Sequence, residues 1–143
     1  MARTIAFSHA IEIAAPADEV FSTLADVTSW PAWASNLESF QPMSPGPVTQ
    51  GSRLLHVSRR GNRRIETSFE VTDDDPPRRF AIASASLRCS FDLSPTPAST
   101  NMTSRFEVAA SGPAAIMYRL LLRWWAAADL RRFKDFAERR SHS

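Results

Sequence analysis
The sequence predicts an α+β domain: an antiparallel sheet of about seven strands, two short helices between the first two strands, and one long helix at the C-terminal end. Three features carry that expectation. Residues 4–13 alternate apolar and polar with the strand period of two. The dipeptide Gly61-Asn62 sits between two alternating runs. Residues 114–140 run without Gly or Pro and are rich in Ala, Leu and Arg, as a long helix requires.

Each element has a local cause. Ile5, Phe7, His9, Ile11 and Ile13 share one face of the first strand, with Ala6, Ser8, Ala10 and Glu12 on the other. Pro16 suits the first turn of a helix, and Asp18 and Glu19 put negative charge where the helix dipole favours it. Val20, Phe21 and Leu24 form that helix's apolar stripe, Trp30-Pro31 allows a second short helix through Trp33, and residues 37–41 read as a brief strand before a Pro-rich loop. A two-residue turn at Gly61-Asn62 sets Arg60 opposite Arg63, Ser58 opposite Ile65, His56 opposite Thr67 and Leu54 opposite Phe69. Its other face pairs Arg53 with Glu70, an expected outward ion pair, while Ile65, Phe69 and Val71 are expected inside. Residues 73–77 read as a turn, and their acidic triplet as a solvated loop rather than a metal site. Residues 80–93 are strand-like with an unplaced turn, and 100–109 alternate as a last strand.

The long helix is unusual. At about 100° per residue, Met117, Leu120, Leu121, Trp124 and Ala128 share a side opposite Arg119 and Arg123, whereas Leu130, Phe133, Phe136 and Ala137 lie where those arginines had been. The helix therefore kinks near residues 126–129, or its halves use different faces.

With 143 residues, 43% hydrophobic and 22% charged, residues 1–143 are expected to form one globular domain. The formal net charge is +2, and although sixteen of the seventeen basic residues are Arg, often paired, they form no single stripe, which argues against nucleic-acid binding. A lone Cys89 excludes an internal disulfide and fits a reducing, cytoplasmic setting. No run has the length of a signal peptide or membrane span.

The order of these pieces resembles the START-like helix-grip (SRPBCC) superfamily, and within it the polyketide cyclase/dehydrase and lipid-transport family. The resemblance rests on Ile11-Glu-Ile-Ala-Ala-Pro-Ala-Asp-Glu-Val-Phe with Leu24-Ala-Asp26, on Trp30-Pro-Ala-Trp33, on Gly51-Ser-Arg, on residues 71–77 followed by Arg79-Phe80, and on Leu130-Arg-Arg-Phe-Lys-Asp-Phe-Ala-Glu138. It spans nearly the whole chain. It implies a curved sheet gripping the long helix, with a cavity between them for an apolar or amphipathic molecule. Fold alone does not choose among that superfamily's carriers and enzymes.

On that basis Phe7, His9, Trp33, Leu54, His56, Thr67, Phe69, Phe91 and Met102 are candidate ligand-binding residues, an apolar wall with a few polar groups. His9 and His56, on the inward faces of their strands, are the candidate acid and base; the alternative is a pair of neutral core histidines bonded to nearby groups. Arg119 and Arg123 face the cavity, where they would hold an anionic oxygen, if the second half of the helix sets the core side; they are exposed if Met117, Leu121 and Trp124 are buried instead. No nucleotide-cradling Gly-rich loop, nucleophile elbow or metal-ligand spacing is present, so neither a cofactor nor a metal is expected.

Three functions follow as expectations: a carrier of a small hydrophobic ligand, a polyketide-type cyclase, aromatase or dehydratase using His or Arg, or an interaction module. The last would use Leu120-Leu-Leu-Arg-Trp-Trp-Ala to meet a membrane surface or a second copy, leaving the protein a monomer or a homodimer.

Overall fold
Alternation, turn chemistry and helix propensity generate the observed order β1 (Arg3–Ile13), α1 (Ala17–Ala25), a 3₁₀ helix (Val27–Ala32), β2 (Leu37–Pro42), β3 (Arg53–Arg60), β4 (Arg63–Asp75), β5 (Arg79–Ala83), β6 (Leu87–Pro95), β7 (Thr100–Ala110) and α2 (Ala114–Ser141). The computed structural model describes residues 3–110 and 114–142, with backbone alone at residues 3, 110 and 114–119. All seven strands form one antiparallel sheet in the order β1-β7-β6-β5-β4-β3-β2. This is the helix-grip arrangement expected, with the two short helices carrying the chain from one edge of the sheet to the other.

The β3–β4 register matches the Gly61-Asn62 expectation, with Arg60 opposite Arg63, His56 opposite Thr67 and Leu54 opposite Phe69. Gly61 has φ +60°, the left-handed conformation that such a tight turn needs. Two details differ. Arg53 and Glu70 are cross-strand neighbours without an ion pair between them, and the β3–β4 arginines that are paired, Arg59 and Arg64, share Glu38 of β2. Ile65 stands 37% exposed because it lies at the hairpin tip, beyond the reach of the core.

The acidic triplet is also not a loop. Residues 73–75 continue β4 against β5, and Asp73 and Asp92 both bind Arg79, at 3.1 Å and 2.9 Å. The turn is confined to residues 76–78, and the turn left open between residues 80 and 93 falls at 84–86.

The core is distributed unevenly along the strands. At the end where β1, β4 and β6 finish and β5 and β7 begin, Ile13, Val71, Phe80, Leu93 and Met102 pack with Val20, Phe21 and Leu24 of α1 and with Leu130, Phe133 and Ala137 of α2. Ties along α2 close this end. Ala14 N–H donates to Glu138 Oε2 (2.7 Å), Lys134 Nζ to the Glu12 carbonyl (2.9 Å), Ser141 Oγ to Glu19 Oε2 (2.8 Å), and Arg140 pairs with Asp26. The opposite end, beneath the β3–β4 turn and the first half of α2, is hollow.

Candidate ligand cavity
A cavity of about 500 Å³ occupies the hollow end. Its floor comes from the inward faces of the strands: Phe7 on β1, His56 and Ser58 on β3, Phe69 on β4, Ile82 on β5, Leu87, Cys89 and Phe91 on β6, and Phe106 and Val108 on β7. Trp30, Trp33 and the segment that follows them form one wall. Leu122, Trp125, Ala126, Asp129 and Leu130 of α2 form another, and Arg59, Arg60 and Gly61 stand at the hairpin edge. Alternation explains the floor, since residues 87, 89 and 91 of β6 and residues 106 and 108 of β7 share the face that Phe7 presents from β1.

The two tryptophans differ in a way that matters. Both are buried, with rings 4.9 Å apart. Trp30 Nε1 donates to the Leu24 carbonyl at 2.8 Å, whereas Trp33 Nε1 is buried with no hydrogen-bond partner. The Trp33 ring is held edge-on against Phe133 at 4.9 Å, and Arg132 Nε donates to its carbonyl at 2.9 Å. Asp129 accepts from Ser35 N–H at 3.2 Å and pairs with Arg132, so α2 clasps the Trp33–Ser35 segment.

His56 contributes a second unpartnered buried atom, Nδ1. Its ring lies between Phe40 at 5.2 Å and Phe69 at 5.3 Å. Burial in these apolar surroundings holds it below the ordinary histidine range, with its own backbone pulling the other way, so the ring is neutral at pH 7. Buried polar atoms are normally bonded. Trp33 Nε1 and His56 Nδ1 both belong to residues that line the cavity.

Three other titratable groups along the cavity, Cys89, Asp129 and Arg59, are committed. Burial pushes the Cys89 thiol up to about 12, so it is a protonated core residue and no nucleophile. Asp129 is held by Arg132 and Ser35, and Arg59 by Glu38. Among the described residues no cluster of His, Cys, Asp or Glu could hold a metal ion.

The structure thus brings Phe7, Trp33, His56, Phe69 and Phe91 to the cavity and places other candidates elsewhere. Leu54 and Met102 are completely buried at the filled end. Thr67 faces His56 across the β3–β4 ladder, half-buried, without reaching the cavity. His9 lies under α2, its Nε2 unpartnered and its ring edge-on to Phe7 at 6.0 Å. Burial, and after it the Arg123 charge, lower its pKa, with the Arg123 backbone working against them. Four strands separate β1 from β3 in the sheet, and of the two histidines His56 alone lines the cavity. Arg123 is exposed, and Arg119 lies outside the residues whose side chains are described.

Comparison with solved structures gives the same architecture. The Zhui aromatase/cyclase from a Streptomyces species superposes with a TM-score of 0.78 at 19% identity, covering 96% of each chain. The di-domain aromatase/cyclase StfQ from the steffimycin biosynthetic pathway gives 0.78 at 15% identity, covering 98% of this chain, which spans about half (52%) of that one. A protein of unknown function from Staphylococcus aureus gives 0.82 at 7% identity, covering 99% and 98%. A comparison with curated proteins finds no match. At these identities the structural likeness speaks for the fold. The family model described as polyketide cyclase / dehydrase and lipid transport matches residues 4–139, and the chain therefore belongs to that family.

Proposed function
We propose that this protein binds a hydrophobic or amphipathic small molecule in the cavity between sheet and α2, as a carrier or binding protein. The observation that carries the reading is the apolar cavity of about 500 Å³ with Trp33 Nε1 and His56 Nδ1 both buried and unpartnered beside it. That volume is within the roughly 300–1,000 Å³ of small-molecule sites. The Trp33 N–H can only donate, so it selects a carbonyl, hydroxyl or ether oxygen; Nδ1 of neutral His56 accepts a hydrogen bond or donates one, according to its tautomer. The surrounding Phe7, Phe69, Phe91 and Phe106 favour a flat ring system or a folded chain. The buried, protonated Cys89 suits a reducing, cytoplasmic setting.

Native mass spectrometry of the purified protein, followed by extraction of what co-purifies, tests this. A lipid, aromatic or polyketide-like species bound one to one supports it. An empty protein that gains no thermal stability from a panel of apolar ligands overturns it.

A second reading, a cyclase, aromatase or dehydratase, is favoured by one observation. His56 is the cavity group that is both neutral near pH 7 and free of a partner, as a residue moving a proton in ring closure or dehydration must be. Under this reading His56→Gln abolishes turnover of a polyketide-like substrate while binding persists. Unchanged product formation by that variant excludes His56 as the proton carrier.

A further inference from the structure
One strand gives the cavity a polar edge. β3 presents His56, Ser58 and Arg60 at every second residue, so the three share the strand face that lines the cavity. Burial falls along this row: His56 and Ser58 are half-buried, and Arg60 is exposed at the hairpin edge. At about 3.3 Å per residue the row is about 13 Å long. The other strands supply mainly apolar groups, among them Phe7, Phe69, Phe91 and Phe106.

The charges around the cavity leave one of this row unmatched. Of the charged residues that line it, Asp129 is paired with Arg132 and Arg59 with Glu38, which also takes Arg64. Arg60 takes part in no ion pair among the described residues. Its partner across the ladder is a second cation, Arg63, and residues 58–64 contain four arginines and no carboxylate. Like charges set directly opposite are destabilising, and an anion bound beside them relieves that repulsion.

We propose that the cavity takes an amphipathic acid, with its apolar body inside, its neutral oxygens towards the β3 edge, and an anionic oxygen group, a carboxylate or its equivalent, held by Arg60 at the mouth. This rests on the ligand-binding reading of the cavity and adds the class of ligand and the direction in which it lies. A guanidinium suits that role because its planar fork of donors meets two oxygens of one anion. The ligand's body needs no charge, since the inner cavity offers it aromatic rings, a neutral imidazole and the Trp33 N–H.

Two fluorescent probes with the same aromatic frame test the assignment: 8-anilinonaphthalene-1-sulfonate carries an anion and N-phenyl-1-naphthylamine does not. Arg60→Gln is expected to weaken binding of the sulfonate about fivefold, the upper range for an exposed ion pair, and to leave the neutral probe unchanged. Arg60→Lys should recover part of the loss. Arg88→Gln removes the same charge from an exposed position of β6 outside the cavity and should change neither probe. Arg60 and Arg88 are both exposed, so circular dichroism should show the variants folded. Binding of the neutral probe alone, equal loss of both probes in Arg60→Gln, or a sulfonate affinity that this variant leaves unchanged overturns the proposal while the ligand-binding reading stands. Failure of both probes to bind the wild type overturns the two together.

Discussion
Trp33 and His56 are ordinary residues made unusual by what surrounds them. Because Trp33 Nε1 has no partner, Trp33→Phe removes a donor that stabilises nothing in the unliganded fold. Its expected stability cost is the ring area lost against Phe133 and Trp30, about 1 kcal/mol, readable by urea denaturation. Affinity for the co-purified ligand should fall about fivefold, the value of one hydrogen bond of about 1 kcal/mol. His56 gives a pH prediction. Its folded pKa lies below the unfolded 6.5, so between the two the unfolded chain holds more protons. Stability therefore falls as pH drops through 6.5 and levels off once the folded ring is protonated. His9 acts in the same direction. Melting temperature followed across pH 6.5 should show a shallower fall in His56→Gln than in the wild type. At this scale the sequence was informative about which residue types would matter. The alternation of β3 put His56 inside, but no pattern in the sequence could show that Leu24 supplies an acceptor to Trp30 and that nothing does so for Trp33.

The long helix is where local pattern and tertiary structure part company. The element is one uninterrupted helix whose inward line runs through Leu122, Ala126, Leu130 and Phe133, so the drift of its apolar side neither kinks it nor turns a second face to the core but leaves Leu120, Leu121 and Trp124 exposed. The half that packs is the second. Phe133, fully buried against Trp33, anchors it, and Phe133→Ala should cost about 3–5 kcal/mol in chemical denaturation, among the largest losses of any single truncation here. Glu138 has a subtler role. Its carboxylate accepts the Ala14 N–H and the Lys134 ammonium, and these hold its pKa below the ordinary carboxylate value. Glu138→Ala should cost about 1 kcal/mol at neutral pH. Because the folded pKa is depressed, that contribution is present above the unfolded pKa and is lost as pH falls through the folded one, so wild type and variant should converge in acid. The pairing of helix and strand was legible as order along the chain. Which face of the first half turned outward was not, because an exposed Trp124 contradicts the burial rule on which any such reading depends.

For the whole molecule, the decisive property is the contrast between a filled and a hollow end of one sheet. Periodicity identified the strands and the Gly61-Asn62 turn fixed β3 against β4, which made Phe7, His56, Phe69 and Phe91 of the cavity floor readable, whereas Ile82, Leu87, Cys89, Phe106 and Val108 were not among the residues expected there. The boundary between packed core and empty space was not readable, since Leu54 and Phe69 are cross-strand partners and only Phe69 lines the cavity. That boundary depends on where α1 and the end of α2 stop filling the grip.

The sheet order has a consequence for how the chain is made. β1 is synthesised first, yet in the sheet its partner is β7, with Ile5 paired to Val108 and Ile13 to Thr100. No nascent chain shorter than about those residues can complete the sheet, and pairings so distant in sequence are slow to form. Throughout elongation β1 is an open edge waiting for its neighbour, and a ribosome stalled before residue 100 would present it to whatever chaperone or aggregate reached it first.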